Sequence, residues 1–364
     1  MVSKIRVSFV ALAAVIALAG CSAPSPGSTK SAPSPGSTKE GSAACGSGKI
    51  KIGMVDGYSN SFLKIAEAEV RRAVADCSNV TVDYVTANGS ADSFNAAINS
   101  FSAQGYKAII TNDALGDQVV GSIKAAYDAG VVVVPYINVP SGTPGKDFTS
   151  SVSINLDAET KQWAEWLNHT LRGKGQIIFL GGPAGNPASL AALKGLKGHL
   201  KDIAPGITFL VDKPVTTGWD PAEGQKAMAG LIAKFPKIDA IVTDYGGATL
   251  GPVRAFQRAN VAVPPIATTA LNNEFGCAVA DIKKTSPNFE LMSVDGVVRI
   301  SAVAVRVALD AIKNSSKSVP ATAYSDFVIW DTKAGNAPKC DAALPPGADL
   351  SSDLSPEELA AVFK

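Results

Sequence analysis

At 364 residues with a formal charge of +1 at neutral pH, the chain offers no electrostatic case for nucleic-acid binding. Its hydrophobic fraction of 46% is broken into short runs, and beyond the N-terminal end none approaches the roughly 20 apolar residues of a membrane-spanning helix. The length suits two domains at about 100 to 200 residues each.

Residues 1–20 read as a secretory signal: a basic start at Lys4 and Arg6, an apolar run from Val7 to Leu18, and small residues before Cys21. The run is too short for a membrane anchor. Leu18-Ala19-Gly20-Cys21 resembles the lipobox of bacterial lipoproteins, which implies that Cys21 is acylated and becomes the first mature residue. An ordinary signal with an incidental cysteine is the alternative. Removal of Lys4 and Arg6 with the signal leaves a formal charge of −1. The nine residues SAPSPGSTK then occur twice, at 22–30 and 31–39. With no large apolar side chain they bury no core, and they read as a mobile spacer within residues 21–48.

Four cysteines remain, Cys45, Cys77, Cys277 and Cys340, and none has the close spacing of a zinc site. In an oxidising compartment disulfides are the better reading. Three connectivities exist; Cys45 with Cys77 and Cys277 with Cys340 is favoured because each pair stays within one half of the architecture below.

From Lys49 onward short apolar strands alternate with amphipathic helices. A strand at 50–55, a helix at 62–77, a strand at 80–85, a helix at 90–104, a strand at 108–111, a helix at 118–129 and a strand at 131–136 form a first set. After a break at 140–146 come a helix at 157–171, a strand at 176–180, a helix at 187–203, a strand at 208–215, a helix at 221–235, a strand at 240–243, a helix at 249–259 and a strand at 265–268. Such alternation predicts the α/β class, with two doubly wound parallel-sheet lobes. Continuous apolar strands such as Val131–Val134 fit sheets covered on both faces.

In such sheets ligands sit beyond the carboxyl ends of the strands. Those turns carry Asp56, Tyr58, Asn60 and Phe62, then Asn112 and Asp113, then Tyr136 and Asn138 in the first set. In the second they carry Asn186, Trp219 with Asp220, Asp244 with Tyr245, and Asn272 with Asn273. Aromatic faces pack on the C–H faces of a sugar or polyol while Asp and Asn satisfy its hydroxyls. Any single Asn or Asp is equally a helix N-cap or turn former; the case rests on recurrence at both sets of strand ends.

The stretches KIKIGMVDGYSNSFLKIAEAEV, FSAQGYKAIITND, AYDAGVVVVPYIN, GGPAGNPASLAALKGLKGHL, GWDPAEGQKAM, IDAIVTDYGGATLGPVRAF and SVDGVVRISAVAVRVALDAI, in this order, resemble the sugar-type periplasmic binding proteins of ABC transporters, fold type I, in the branch of ribose-binding protein. The resemblance runs from about Lys49 to Trp330. It implies ligand contacts at Asn60, Phe62, Asn112, Asn138, Trp219, Tyr245 or Asp244, and Asp295. The chain departs from the family where an Asp-Arg pair gives way to Ile137-Asn138, where an arginine gives way to Leu190, and near Ala270, where the family's Asp is absent and Asn272 or Asn273 is left as the substitute. The guanidinium clamps on a sugar ring are missing.

The resemblance further implies a three-segment hinge. Residues 289–297 are expected to cross back to the first lobe, 299–313 to form a helix there, and 324–330 to return as a final strand. The expected division is 49–151 with 296–321 for the N-terminal lobe, 152–295 with 322–340 for the C-terminal lobe, and 341–364 for a tail whose Ser355-Pro356-Glu357-Glu358 opens a short helix. Ligand held between lobes favours a closed state that an ABC permease and its ATPase would receive, with the protein lipid-anchored on the outer membrane face and monomeric. A sensory receptor acting on a membrane kinase or chemoreceptor, for a ligand that includes a cationic amine, is the alternative.

An enzyme is the weaker reading, and no cofactor or metal is expected. GGPAGN lacks the spacing of a dinucleotide or Walker loop. His169 and His199 fall inside predicted helices, without a nucleophile or metal partner in the sequence.

Overall fold

The computed structural model describes residues 45–314 and 318–364. Cys21, the signal and the spacer lie outside the described residues. The first sheet has the order β2-β1-β3-β4, all parallel, from β1 (Ile50–Asp56), β2 (Val80–Thr86), β3 (Ala108–Asn112) and β4 (Val132–Pro135). Its strands are apolar because both faces are covered. Ile52 and Met54 face a core with α1 (Ser61–Ala73), whereas Val55 and Ile109 face α2 (Ala91–Ala103) and α3 (Val120–Asp128). Gly53 lets the Phe101 ring lie on the sheet, since a Cβ there would stand 2.2 Å from that ring.

β5 (Ser151–Ser153) bridges from this sheet through a parallel contact of Val152 with Tyr136. The chain then enters the second lobe with α4 (Leu156–Leu171) and β6 (Lys174–Gly181). There follow α5 (Pro187–Ile203), β7 (Gly206–Phe209), β8 (Val215–Thr216), α6 (Pro221–Lys234), β9 (Ala240–Thr243), α7 (Leu250–Arg258), β10 (Ile266–Thr269), α8 (Asn273–Thr285) and β11 (Leu291–Asp295). The expected single strand at 208–215 is two short strands that pair with β6 at successive registers. Pro214 between them has no N–H to give a ladder. On β6, Ile177 and Phe179 face α4 and α5, whereas Ile178 and Leu180 face α6, α7 and α8.

Two expectations are corrected. Residues 291–295 do not cross to the first lobe but pair with β10 deep in the second sheet; the crossing follows at Gly296, φ +88°. The expected final strand at 324–330 is two strands, β12 (Thr322–Tyr324), parallel to β5, and β13 (Val328–Asp331), antiparallel to β11. Between these passages α9 (Ile300–Asn314) packs on the first lobe through Val305 and Ala308. The lobes are thus joined after Ser153, Asp295 and Tyr324.

Cys45 is bonded to Cys77 and Cys277 to Cys340. The tail ends in α10 (Pro356–Ala361), opened by a capping box in which Ser355 and Glu358 satisfy each other's backbone N–H. Among the described residues, no helix is long and apolar enough to cross a membrane.

Candidate functional site

In the first lobe the strand ends deliver Asp56, Asn112, Asp113 and Asn138. Asp56 closes β1 fully buried, and the Tyr136 hydroxyl donates to its Oδ1 at 2.6 Å. Burial pushes the carboxyl up to about 7, against the hydrogen bond of Tyr136 and the lowering effect of the nearby Tyr84 hydroxyl, and its Oδ2 has no protein partner. Asn138 donates from Nδ2 to Asn112 Oδ1 at 2.7 Å, an amide pair that spans the ends of neighbouring strands. Asp113 is raised to about 6, by burial first; its Oδ1 accepts from Leu115 N and its Oδ2 is also unpartnered.

Three of the asparagines serve their own helices. Asn60, Asn186 and Asn272 accept from Leu63, Ser189 and Phe275 N as N-caps of α1, α5 and α8. Each relieves an orphan donor of its first turn, and Asn272 also donates from Nδ2 to Gly247 O at 3.4 Å. Asp220 caps α6 in the same way. Tyr58 is exposed, its ring over Gly89, and Phe62 is half-buried against the first-lobe core.

In the second lobe a single array positions Trp219. Its Nε1 donates to Asp244 Oδ1 at 2.9 Å, Ser189 Oγ donates to Asp244 Oδ2, and Ser189 Oγ accepts from Gly182 N at 3.1 Å. Both oxygens of Asp244 are spent on this task. The indole lies over Gly182, where a Cβ would stand 2.3 Å from the ring. Trp219 has φ +56°, a left-handed conformation that costs a bulky residue about 1–3 kcal/mol and collects at ligand sites. Ala114, Ile137 and Ala270, at φ +47°, +59° and +52°, occupy other strand-end turns. The Tyr245 ring covers Gly247, and burial first, then the Asp349 carboxylate, holds its hydroxyl up at about 12.

The carboxyls at these strand ends are held above the usual carboxylate range. Asp244 is raised to about 6, by burial against the bonds from Ser189 and Trp219. Asp295, fully buried, accepts at Oδ1 from Leu271 N and Ser293 Oγ, and its Oδ2 is unpartnered. Burial and the facing Asp349 carboxylate both push it upward.

The sequence reading missed Glu159 and Asp349. Glu159 is buried in the first turn of α4 and raised to about 8, by burial first, with Asp244 and Asp295 adding to it and the nearby Thr269 hydroxyl opposing it. Its position four residues before Trp163, on the stripe of Leu156, Trp163 and Leu167, was the available signal. Among the described residues no group of three or more His, Cys, Asp or Glu is arranged to hold a metal ion. His169 and His199 lie within α4 and α5, the latter 3.1 Å from Asp157.

The family model for the periplasmic binding protein domain matches residues 53–316. The chain belongs to the periplasmic binding protein family. As such it is similar to the xylitol-binding protein of Mycolicibacterium smegmatis, 26% identical over 234 residues that cover 62% of this chain and 65% of the relative. The chain therefore matches slightly less than two thirds of that curated relative's length. Among solved structures, the fold of this binding protein is similar to an ABC transporter solute binding protein from Bacillus halodurans with bound myo-inositol. The TM-score is 0.67 at 18% identity, with 79% of this chain and 96% of that one covered. It is also similar to the periplasmic component of the arabinose ABC transporter from Shewanella, bound to arabinofuranose, at TM-score 0.68 and 18% identity, with 78% and 93% covered.

Proposed function

We propose that this chain is an extracytoplasmic solute-binding lipoprotein that closes its two lobes on a small neutral polyhydroxylated ligand, a sugar or sugar alcohol. It presents that ligand to an ABC permease driven by a separate ATPase. The observation that carries this reading is the Trp219 platform, an indole fixed by Asp244 and Ser189 at the strand ends of the second lobe in a strained conformation. An immobilised aromatic face suits the C–H face of a polyol. Asp56, raised to about 7, supports the same class. Near neutral pH such a carboxyl exists in part as the acid, which both donates and accepts, as a hydroxyl requires. A cationic amine needs the ionised form, which burial opposes.

Closure follows from differential contact: a ligand that touches both strand-end sets binds the closed arrangement more tightly and shifts the population toward it. The protein performs no chemistry on the ligand. Acylated Cys21 and the SAPSPGSTK spacer retain it as a monomer at the outer face of the cell membrane. The relatives named for xylitol, myo-inositol and arabinose direct the choice of ligands to test.

The test is a thermal-shift and calorimetric screen over pentitols, inositols, aldoses, amines and amino acids, since native-state ligands raise the melting temperature by mass action. Polyols or sugars are expected to shift it and to be recovered unchanged by NMR. A shift from amines with none from any carbohydrate would overturn the ligand class, and a consumed ligand would overturn the binding-only role.

A further inference from the structure

The C-terminal tail touches both lobes, and it does so within single residues. Ala348 has its methyl fully buried in the first-lobe core, yet its carbonyl accepts from Asn273 N at 2.7 Å, at the start of α8 in the second lobe. Two residues earlier Pro346 O accepts from Glu274 N at 2.9 Å. These two carbonyls satisfy donors that a helix start leaves without intrahelical partners. Gly347 between them runs so near the start of α1 that a Cβ would stand 2.6 Å from Ser61 Oγ. The tail is threaded between the first turns of one helix from each lobe.

Both ends of this thread are fastened. On the second lobe the Cys277–Cys340 bond fixes its start to α8, and the buried Asn273 side chain donates to Asp341 O at 2.8 Å and to Leu344 O at 3.1 Å. On the first lobe Leu354 and Leu359 enter the core beside α1, Glu69 Oε1 accepts from Asp353 N at 2.6 Å, and Glu358 pairs with Arg72 at 3.6 Å. Between the anchors Ser351 Oγ accepts from Gly296 N at 3.0 Å, at the second of the three passages between lobes. Arg299 links Asp353 of the tail to Asp326 O in the third passage.

We infer that residues 340–363 form a strap, a fourth link between the lobes that holds them in this arrangement and limits how far the hinge opens. The matched family domain ends at residue 316, so the strap lies beyond it. Three unbranched passages leave two lobes free to rotate about the hinge. A fourth connection, covalent at one end and core-packed at the other, removes part of that freedom. The inference rests on the two-lobe hinge but not on the identity of any solute.

The experiment compares ligand-free full chain with a C277S/C340S/N273A variant by small-angle X-ray scattering and hydrogen exchange. These changes release the strap from the second lobe and leave its first-lobe anchor in place. The expected result is a larger radius of gyration and maximum dimension, tenfold or faster exchange at Glu274 and Gly296, and unchanged exchange at Leu359 and Val362. Unchanged or smaller dimensions, with exchange at Glu274 accelerated, would overturn the strap and make the tail a passive cover. Should the triple variant lose its folded circular-dichroism spectrum, C277S/C340S alone is judged by the same dimensions, since that bond is the covalent anchor. All measurements omit ligand, so failure here is separate from failure of the solute screen.

Discussion

The two lobes share one architecture but differ in how their strand ends are built. At the first lobe Tyr136 bonds Asp56 and Asn138 bonds Asn112, while Asp56 and Asp113 each keep one unpartnered oxygen. At the second, Asp244 bonds the Trp219 indole, the buried Glu159 carboxyl feels those of Asp244 and Asp295, and Asp349 of the tail faces Asp295. A buried carboxyl without a cation is a cost unless it is protonated or hydrogen-bonded. The second lobe therefore fixes an aromatic face with a carboxyl whose two oxygens are both used, whereas the first presents an amide pair beside two carboxyls that each keep an unpartnered oxygen.

The largest expected effects come from removing the disulfides, one per lobe. Cys45–Cys77 encloses a sequence separation of 32 residues and Cys277–Cys340 one of 63. Chain-entropy arguments give each about 3–5 kcal/mol, the longer loop roughly half a kcal/mol more. Denaturant unfolding of C45S/C77S and C277S/C340S is expected to show this order; a clearly greater loss from the shorter loop would reverse the ranking of the lobes.

Next comes the platform. Trp219→Ala is expected to lower affinity for the ligand about 10- to 100-fold, the worth of a buried aromatic side chain at roughly 1.5–3 kcal/mol. Asn138→Ala removes one neutral amide bond, worth about 1 kcal/mol, and is expected to cost less than tenfold. Calorimetric titration of the two variants ranks the lobes; equal losses would mean that both strand-end sets hold the ligand alike.

The smallest contrast is in pH. Asp56 and Glu159 have folded values of about 7 and 8, above the usual carboxylate range near 4. The folded state therefore holds these protons where the unfolded chain has lost them. Their contribution to stability is fully present below about pH 4 and is lost as pH rises through 7 to 8, with a slope of up to about 1.4 kcal/mol per unit for each group. The melting temperature is expected to fall between pH 5.5 and 8. Glu159→Gln should flatten that fall more than Asp56→Asn, because Glu159 faces Asp244 and Asp295 whereas Asp56 is bonded by Tyr136. Superimposable profiles for E159Q and the unaltered chain would refute the assignment.

Much of the architecture was legible because a strand covered on both faces must be apolar throughout and its crossover helix must be amphipathic. The break within 208–215 and the helix α8 were not. Gly276 weakens helical propensity in α8, and its need is tertiary: a Cβ there would stand 2.2 Å from Lys339 O. The polar types at the strand ends were also legible, but their division of labour was not. Nothing local separates Asp244, spent on an indole, from Asp56, which keeps an unpartnered oxygen. Asp349 and Ala348 lie in a proline-rich tail without periodicity, so their burial is a property of the assembled fold alone.

The interleaved connections also dictate an order of assembly. The first-lobe core receives α9 only after the strands of the second sheet from β6 to β11 have been laid down, the second sheet receives its outer strand only at Val328–Asp331, and Ala348 and Leu354 join the first-lobe core from still later residues. The second sheet is thus unfinished until Asp331 and the first-lobe core until Leu359, so neither lobe can close as an early N-terminal unit while the chain is being made.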